Sequence, residues 1–207
     1  MEADSMKRPI IVVFEGLSGA GKSTQAAMIA DVFGKKGLKV AVDPGADHPA
    51  IIAIQNLAKE LPFMNRERSV LYWLSWTIKE GIIKSYIAST DADIVIIDRL
   101  WGSAIAYNSL VFGKNQEIWQ ELPKISIKPD KTFLFIISRE TGLKRKQSPT
   151  LRDPKFFQEI RDRYLALAAD CGWEIVDGED PVERTNERLV AILTALLYIA
   201  RCEETRP

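Results

Sequence analysis

A three-layer α/β/α sandwich around a five-stranded parallel sheet is the fold class the sequence predicts, and three observations predict it. Residues 10–24, IIVVFEGLSGAGKST, run an apolar, β-branched strand into a glycine-rich turn and straight on into a helical pattern. Along the whole chain short apolar runs alternate with longer segments of helical spacing, the pattern of strands joined by right-handed helical crossovers. The third run, Asp93-Ile94-Val95-Ile96-Ile97-Asp98, is almost unbroken in apolar residues, as a strand covered on both faces requires.

Residues 1–8 are polar and read as a flexible arm. Ile10 to Phe14 forms the first strand. Gly16, Leu17, Ser18, Gly19, Ala20, Gly21, Lys22 and Ser23 then fit G-x-x-x-x-G-K-[ST], the phosphate loop or P-loop. Its glycines let backbone N–H groups turn inward around phosphate oxygens, and the next helix adds its positive end. Lys22 is placed for the β- and γ-phosphates, and the Ser23 hydroxyl for Mg²⁺, with Thr24 closing the nucleotide contacts. The loop predicts a nucleoside-triphosphate site without distinguishing a kinase from an ATPase or a GTPase.

Thr24 to about Lys36 is the first helix, stopped by Gly37. Residues 38–42 make a second strand, and the turn residues 43–49 place Asp43 at its carboxyl end, where open α/β sheets bind ligands. Residues 50–60 are helical. The longest helix spans about 65–89, with an apolar stripe of Val70, Leu71, Leu74, Ile78, Ile82 and Ile83 broadened by Tyr72, Trp73 and Trp76; Gly81 marks a place where it can break. The third strand ends at Asp98-Arg99. Residues 102–111 and a short stretch over 115–121 are helical, 131–137 is the fourth strand and 140–146 begins a helix. Residues 144–152, KRKQSPTLR, form a basic, proline-broken segment. A helix from Phe156 to about Asp170, a fifth strand over 173–176 and a closing helix over 181–201 complete the chain. With 207 residues, 46% of them hydrophobic, one domain covers 1–207, with about 139–153 as a lid.

Lysine plus arginine and aspartate plus glutamate both total 28, a balance that argues against a nucleic-acid partner. No apolar run reaches membrane-span length. Two cysteines, Cys171 and Cys202, are too few for a disulfide framework and suit a reducing, cytoplasmic compartment.

Phosphoryl transfer asks for positioning and for positive charge around the moving group. Lys22 and Mg²⁺ serve the donor side. Asp98 either holds Mg²⁺ with Ser23 or orients the acceptor. Arg99 offers a bidentate fork to an acceptor phosphate. Glu15 either meets Mg²⁺ water or braces the loop. Arg139, Arg145 and Arg152 supply the lid with cations suited to phosphate, and to excluding water on closure.

Phe14-Glu15-Gly16 with Gly19-Ala20-Gly21-Lys22-Ser23-Thr24-Gln25, and Asp98-Arg99-Leu100-Trp101-Gly102-Ser103-Ala104-Ile105-Ala106-Tyr107-Asn108, resemble the two motifs of the thymidylate kinase family. Residues 157–161 and 164–168 resemble its helix after the lid, so that the likeness spans about 10–198. The resemblance implies a homodimeric, Mg²⁺-dependent kinase that moves the γ-phosphate of ATP to dTMP. By the same resemblance Arg99 contacts the acceptor phosphate, Tyr72 stacks on the base, Asn108 and Tyr107 meet it, Ser103 lines the pocket, Asp43 lies in the acceptor loop and Arg145 is a lid arginine. The chain departs from the family at four positions. Ser18 stands for an aspartate, Val42 and Trp76 for acceptor-side arginines, and Ile136 for the aspartate before the lid. Each charge-assisted hydrogen bond so lost is worth about 1.5–3 kcal/mol. The absent arginines motivate a second reading, a kinase of deoxynucleosides or other small molecules; a third, a nucleotide-dependent switch or assembly module without turnover, has the intact Lys22, Ser23 and Asp98 against it.

Overall fold

The computed structural model describes residues 8–204 except 63, 64, 114–116, 118, 119, 122, 123, 125 and 147. The expected arm and part of the short helix over 115–121 lie outside the described residues. Strand β1 (Ile10–Gly16) is central, flanked by β3 (Ile94–Asp98) and β4 (Lys131–Ile136), with β2 (Val40–Val42) and β5 (Glu174–Asp177) at the edges. Every pairing is parallel, in the order β2-β3-β1-β4-β5.

The two faces follow from strand period. Ile10, Val12 and Phe14 alternate with Ile11 and Val13, so one strand feeds two cores. The first set packs under α1 (Lys22–Gly34) and α8 (Val182–Glu204), through Ile29, Phe33, Leu189 and Leu193. The second set, with Val95 and Ile97, packs under α3 (Arg66–Ile87) and α4 (Trp101–Phe112), through Ile83, Trp101 and Ile105. Alongside, α7 (Pro154–Cys171) buries Phe156, Phe157, Ile160 and Tyr164 against Leu134. Helices α2 (Pro49–Lys59), α5 (Arg139–Arg145) and α6 (Pro149–Arg152) surround the strands' carboxyl ends.

The differences from the expected elements have local causes. Strand β1 runs two residues further, because Glu15 and Gly16 continue the ladder with Leu134 and Phe135 of β4. Helix α1 starts at Lys22, earlier than expected, because Gly21 at φ 94° turns the chain directly into it. Gly81 does not interrupt α3; it sits on the exposed side, where a missing side chain leaves no packing gap. No helix among the described residues is long and apolar enough to cross a membrane.

Candidate active site

The P-loop leaves β1 at Gly16, and only glycine fits there. Its φ is 124°, and a Cβ would stand 2.1 Å from the Phe135 carbonyl oxygen. The side chain of Leu17 is buried in one cluster with Tyr164 and Leu151, while Ser18 opens onto a neighbouring cavity. Inside the loop, Lys22 Nζ donates to the carbonyls of Gly16 at 3.0 Å and Leu17 at 2.9 Å. Burial, with the nearby Arg99 charge, lowers the Lys22 pKa to about 7. Its ammonium is thus held where charge is poorly solvated, which favours an anion as partner.

Ser23 and Thr24 are exposed on the first turn of α1. Ser23 Oγ lies 3.4 Å from Asp98 Oδ2 at the end of β3. The other carboxylate oxygen, Asp98 Oδ1, is buried and has no hydrogen-bond partner among the described residues. An acceptor-only atom left without a donor in a buried place is suited to a cation.

Arg99 follows with φ 71°, one of two described non-glycine residues at positive φ; the other is Asp43, at 46°. That turn carries the guanidinium off the strand into the cavity, where Nη1 donates to Ser103 Oγ at 3.2 Å and Tyr164 Oη at 3.1 Å. Burial opposes its charge, but Tyr164, Tyr107, Asp98 and Glu15 more than offset that and raise its pKa. Glu15 is buried beneath the site. Its Oε1 accepts from Leu100 N at 2.9 Å and Ser103 N at 3.1 Å, and its Oε2 from Ser103 Oγ at 2.6 Å. Burial raises its pKa although these bonds favour the charged form. Of the two roles read for Glu15, these contacts are those of a brace between β1 and α4.

The cavity encloses about 510 Å³. It brings Ser18, Asp43, Tyr72, Asp98, Arg99, Ser103, Tyr107 and Asn108 into one wall, together with Arg68, Trp76 and Lys79. Arg68 stacks over Tyr72 with 5.7 Å from Cζ to the ring centre and also donates to Leu61 O. Asn108 Nδ2 donates to Ala104 O at 2.9 Å. The Asp43 carboxylate is engaged by Lys79 Nζ at 2.6 Å, and burial raises its pKa despite that partner.

The expected lid arginines separate. Arg145 Nη1 donates to Gly178 O at 2.9 Å and reaches Gly19 O of the P-loop at 3.5 Å. Arg139 turns inward to the carbonyls of Leu151 and Arg152, tying α5 to α6. Arg152 is exposed. Ser148, Pro149 and Thr150 bring this segment to the cavity rim.

Sequence reasoning missed Lys79 and Tyr164 as site residues. Lys79 had a legible signal: three residues after Trp76 and seven after Tyr72, it shares their helix face. Tyr164 carried only the look of a core aromatic.

The sequence model of the thymidylate kinase family matches residues 14–189. A probable thymidylate kinase of Methanocaldococcus jannaschii is 27% identical, over 89% of this chain and 95% of its own length. One from Sulfurisphaera tokodaii is 29% identical, over 91% and 98%. A thymidylate kinase of Pelodictyon phaeoclathratiforme is 30% identical, over 92% and 90%. With the family pattern running from the first strand into the last helix, and both motifs at the carboxyl end of one parallel sheet, the chain belongs to the thymidylate kinase family.

Proposed function

We propose that this chain transfers the γ-phosphate of ATP to a nucleoside monophosphate, converting dTMP to dTDP. One observation carries the reading: the Arg99 guanidinium is turned into a cavity that Ser18 of the P-loop and Asp98 also line, so the phosphate loop and an acceptor-side cation open onto one cleft. An acceptor phosphate oxygen attacks the γ-phosphorus in line, the bond to the β,γ-bridging oxygen breaks, and ADP leaves. Lys22 stabilises charge on the donor side, Arg99 holds the acceptor, and Arg145 at Gly19 adds charge from the lid. Tyr72 and Tyr107 supply ring faces and edges for the base, and Asn108 supplies a polar group.

Mg²⁺ fits the residues present. Ser23 Oγ and the Asp98 carboxylate would hold it, phosphate oxygens and water completing its shell, and it would neutralise phosphate charge. Homodimer formation is supported by Val70 and Leu74 on α3 and Leu57 on α2, three large apolar side chains that are about half exposed. A cytoplasmic setting is supported by the low cysteine count.

A second reading, a deoxynucleoside acceptor, is favoured by Trp76, an apolar wall of the cavity where the family resemblance implies an arginine. Against it, Arg68 lines the same cavity as Arg99 and adds positive charge there. Product analysis with MgATP and a panel of nucleosides and nucleoside monophosphates decides. The proposal expects dTDP from dTMP; phosphorylation of thymidine with dTMP untouched would reject it.

A further inference from the structure

On its β2 side, strand β3 runs out of sheet partners before Asp98. Strand β2 ends at Val42, which pairs with Ile96, whereas on the other side β1 still pairs Phe14 with Asp98. A part-buried peptide with the polar atoms on that side unserved costs free energy, so its partners must come from elsewhere. They come from two side chains. Asp43 Oδ1 accepts from Asp98 N at 3.2 Å, and Lys79 Nζ donates to Asp98 O at 2.9 Å. The two side chains also pair with each other at 2.6 Å and are only 16% and 12% exposed.

We propose that the Lys79–Asp43 ion pair is a positioning clamp, closing on the Asp98 amide and carbonyl to aim the Asp98 carboxylate and the Arg99 turn. The strain in the region agrees. Arg99 and Asp43 both hold positive φ, a conformation that persists only where surrounding contacts impose it. Asp43 N also donates to Ile96 O at 2.6 Å and Arg99 N to Phe14 O at 2.9 Å, so both strained residues are anchored on either side of the clamp. Gly45 packs the Asp43 loop onto α3, where a Cβ would stand 2.7 Å from Ile82 Cγ2. The loop therefore approaches α3 closely enough for Lys79 to reach across it. Lys79 and Asp43 act through Asp98 and Arg99 and need touch no substrate.

The kinetic consequence rests on the phosphotransfer reading, while the clamp itself does not. Removing Lys79 alone leaves a buried carboxylate unpaired, so the test uses Lys79→Met together with the double variant Asp43→Asn/Lys79→Met. In the double variant the amide oxygen introduced at position 43 can still accept from Asp98 N. Amide hydrogen exchange read by NMR should speed up at Asp98 and Arg99 by about tenfold or more in Lys79→Met, with Val13 in β1 unchanged. The kcat for dTMP should fall by about 10²-fold, the scale of a small misplacement of reacting groups, with the KM for dTMP within a few-fold. The double variant should regain melting temperature but not turnover. Unchanged exchange at Asp98, or unchanged kcat, would overturn the clamp. A rise in dTMP KM with kcat kept would make Lys79 an acceptor-phosphate contact instead. Turnover recovering together with melting temperature would make the pair merely structural. Should the wild type form no dTDP, the phosphotransfer reading falls and the exchange result alone decides the clamp.

Discussion

Ser103 Oγ stands 2.6 Å from Glu15 Oε2, and this contact joins the end of β1 to the first turn of α4. Leu100, the N-cap of α4, has no capping side chain of its own. Glu15 supplies the cap from another strand, taking the amides of Leu100 and Ser103 on its second oxygen. The P-loop and the Asp98-Arg99 turn are therefore held at a fixed offset by one buried carboxylate.

Glu15→Ala should strand the buried Leu100 N–H, while Ser103 N keeps the Leu100 carbonyl at 3.2 Å. At about 1–3 kcal/mol for an unsatisfied buried donor, the expected loss of stability is about 1–3 kcal/mol. Glu15→Gln keeps one acceptor oxygen and should lose less. Urea unfolding of the two variants against wild type measures the difference.

Lys22 predicts a proton taken up on nucleotide binding. Its pKa in the folded chain is about 7, against 10.5 for the ordinary group. Between those values the unfolded chain binds more protons, so stability rises with pH across that window. The destabilisation is full below about 7 and gone above about 10.5. A triphosphate beside Lys22 should restore its charge. Calorimetric titration with ATP in buffers of different ionisation heat should show about one proton taken up at about pH 8.5 and almost none at about pH 6. Lys22→Met should abolish the uptake.

Much of this was legible in the sequence, for physical reasons. The strands announced themselves because a sheet covered on both faces demands continuous apolar runs, and the P-loop because backbone geometry at Gly16 and Gly21 admits glycine. What lay hidden depends on residues far apart in the chain. Lys79 reaches Asp43 across 36 positions and Asp98 across 19, and helical spacing shows its face but not its partners. Arg139 read as a mobile cation, but its guanidinium meets the Leu151 and Arg152 carbonyls once the chain doubles back at α6. Tyr164 looked like any core aromatic, since its hydroxyl gains meaning only beside Arg99.

Tyr164→Phe removes that hydroxyl, which Arg99 Nη1 and Ser103 Oγ share at 3.1 and 2.7 Å. The ring packing stays. A net hydrogen bond is worth about 0.5–1.5 kcal/mol, so the KM for dTMP should rise by about two- to tenfold. ATP affinity should be unchanged. Steady-state kinetics with each substrate varied in turn reads both effects.

Binding of dTMP and of ATP, titrated separately into wild type and Arg99→Ala, decides whether two cations divide the cleft between them. A single cleft that seats donor and acceptor phosphates on different cations predicts dTMP affinity reduced by about tenfold or more, the worth of a charge-assisted bond, with ATP affinity kept. Equal weakening of both ligands, or dTMP bound as tightly as before, would contradict it.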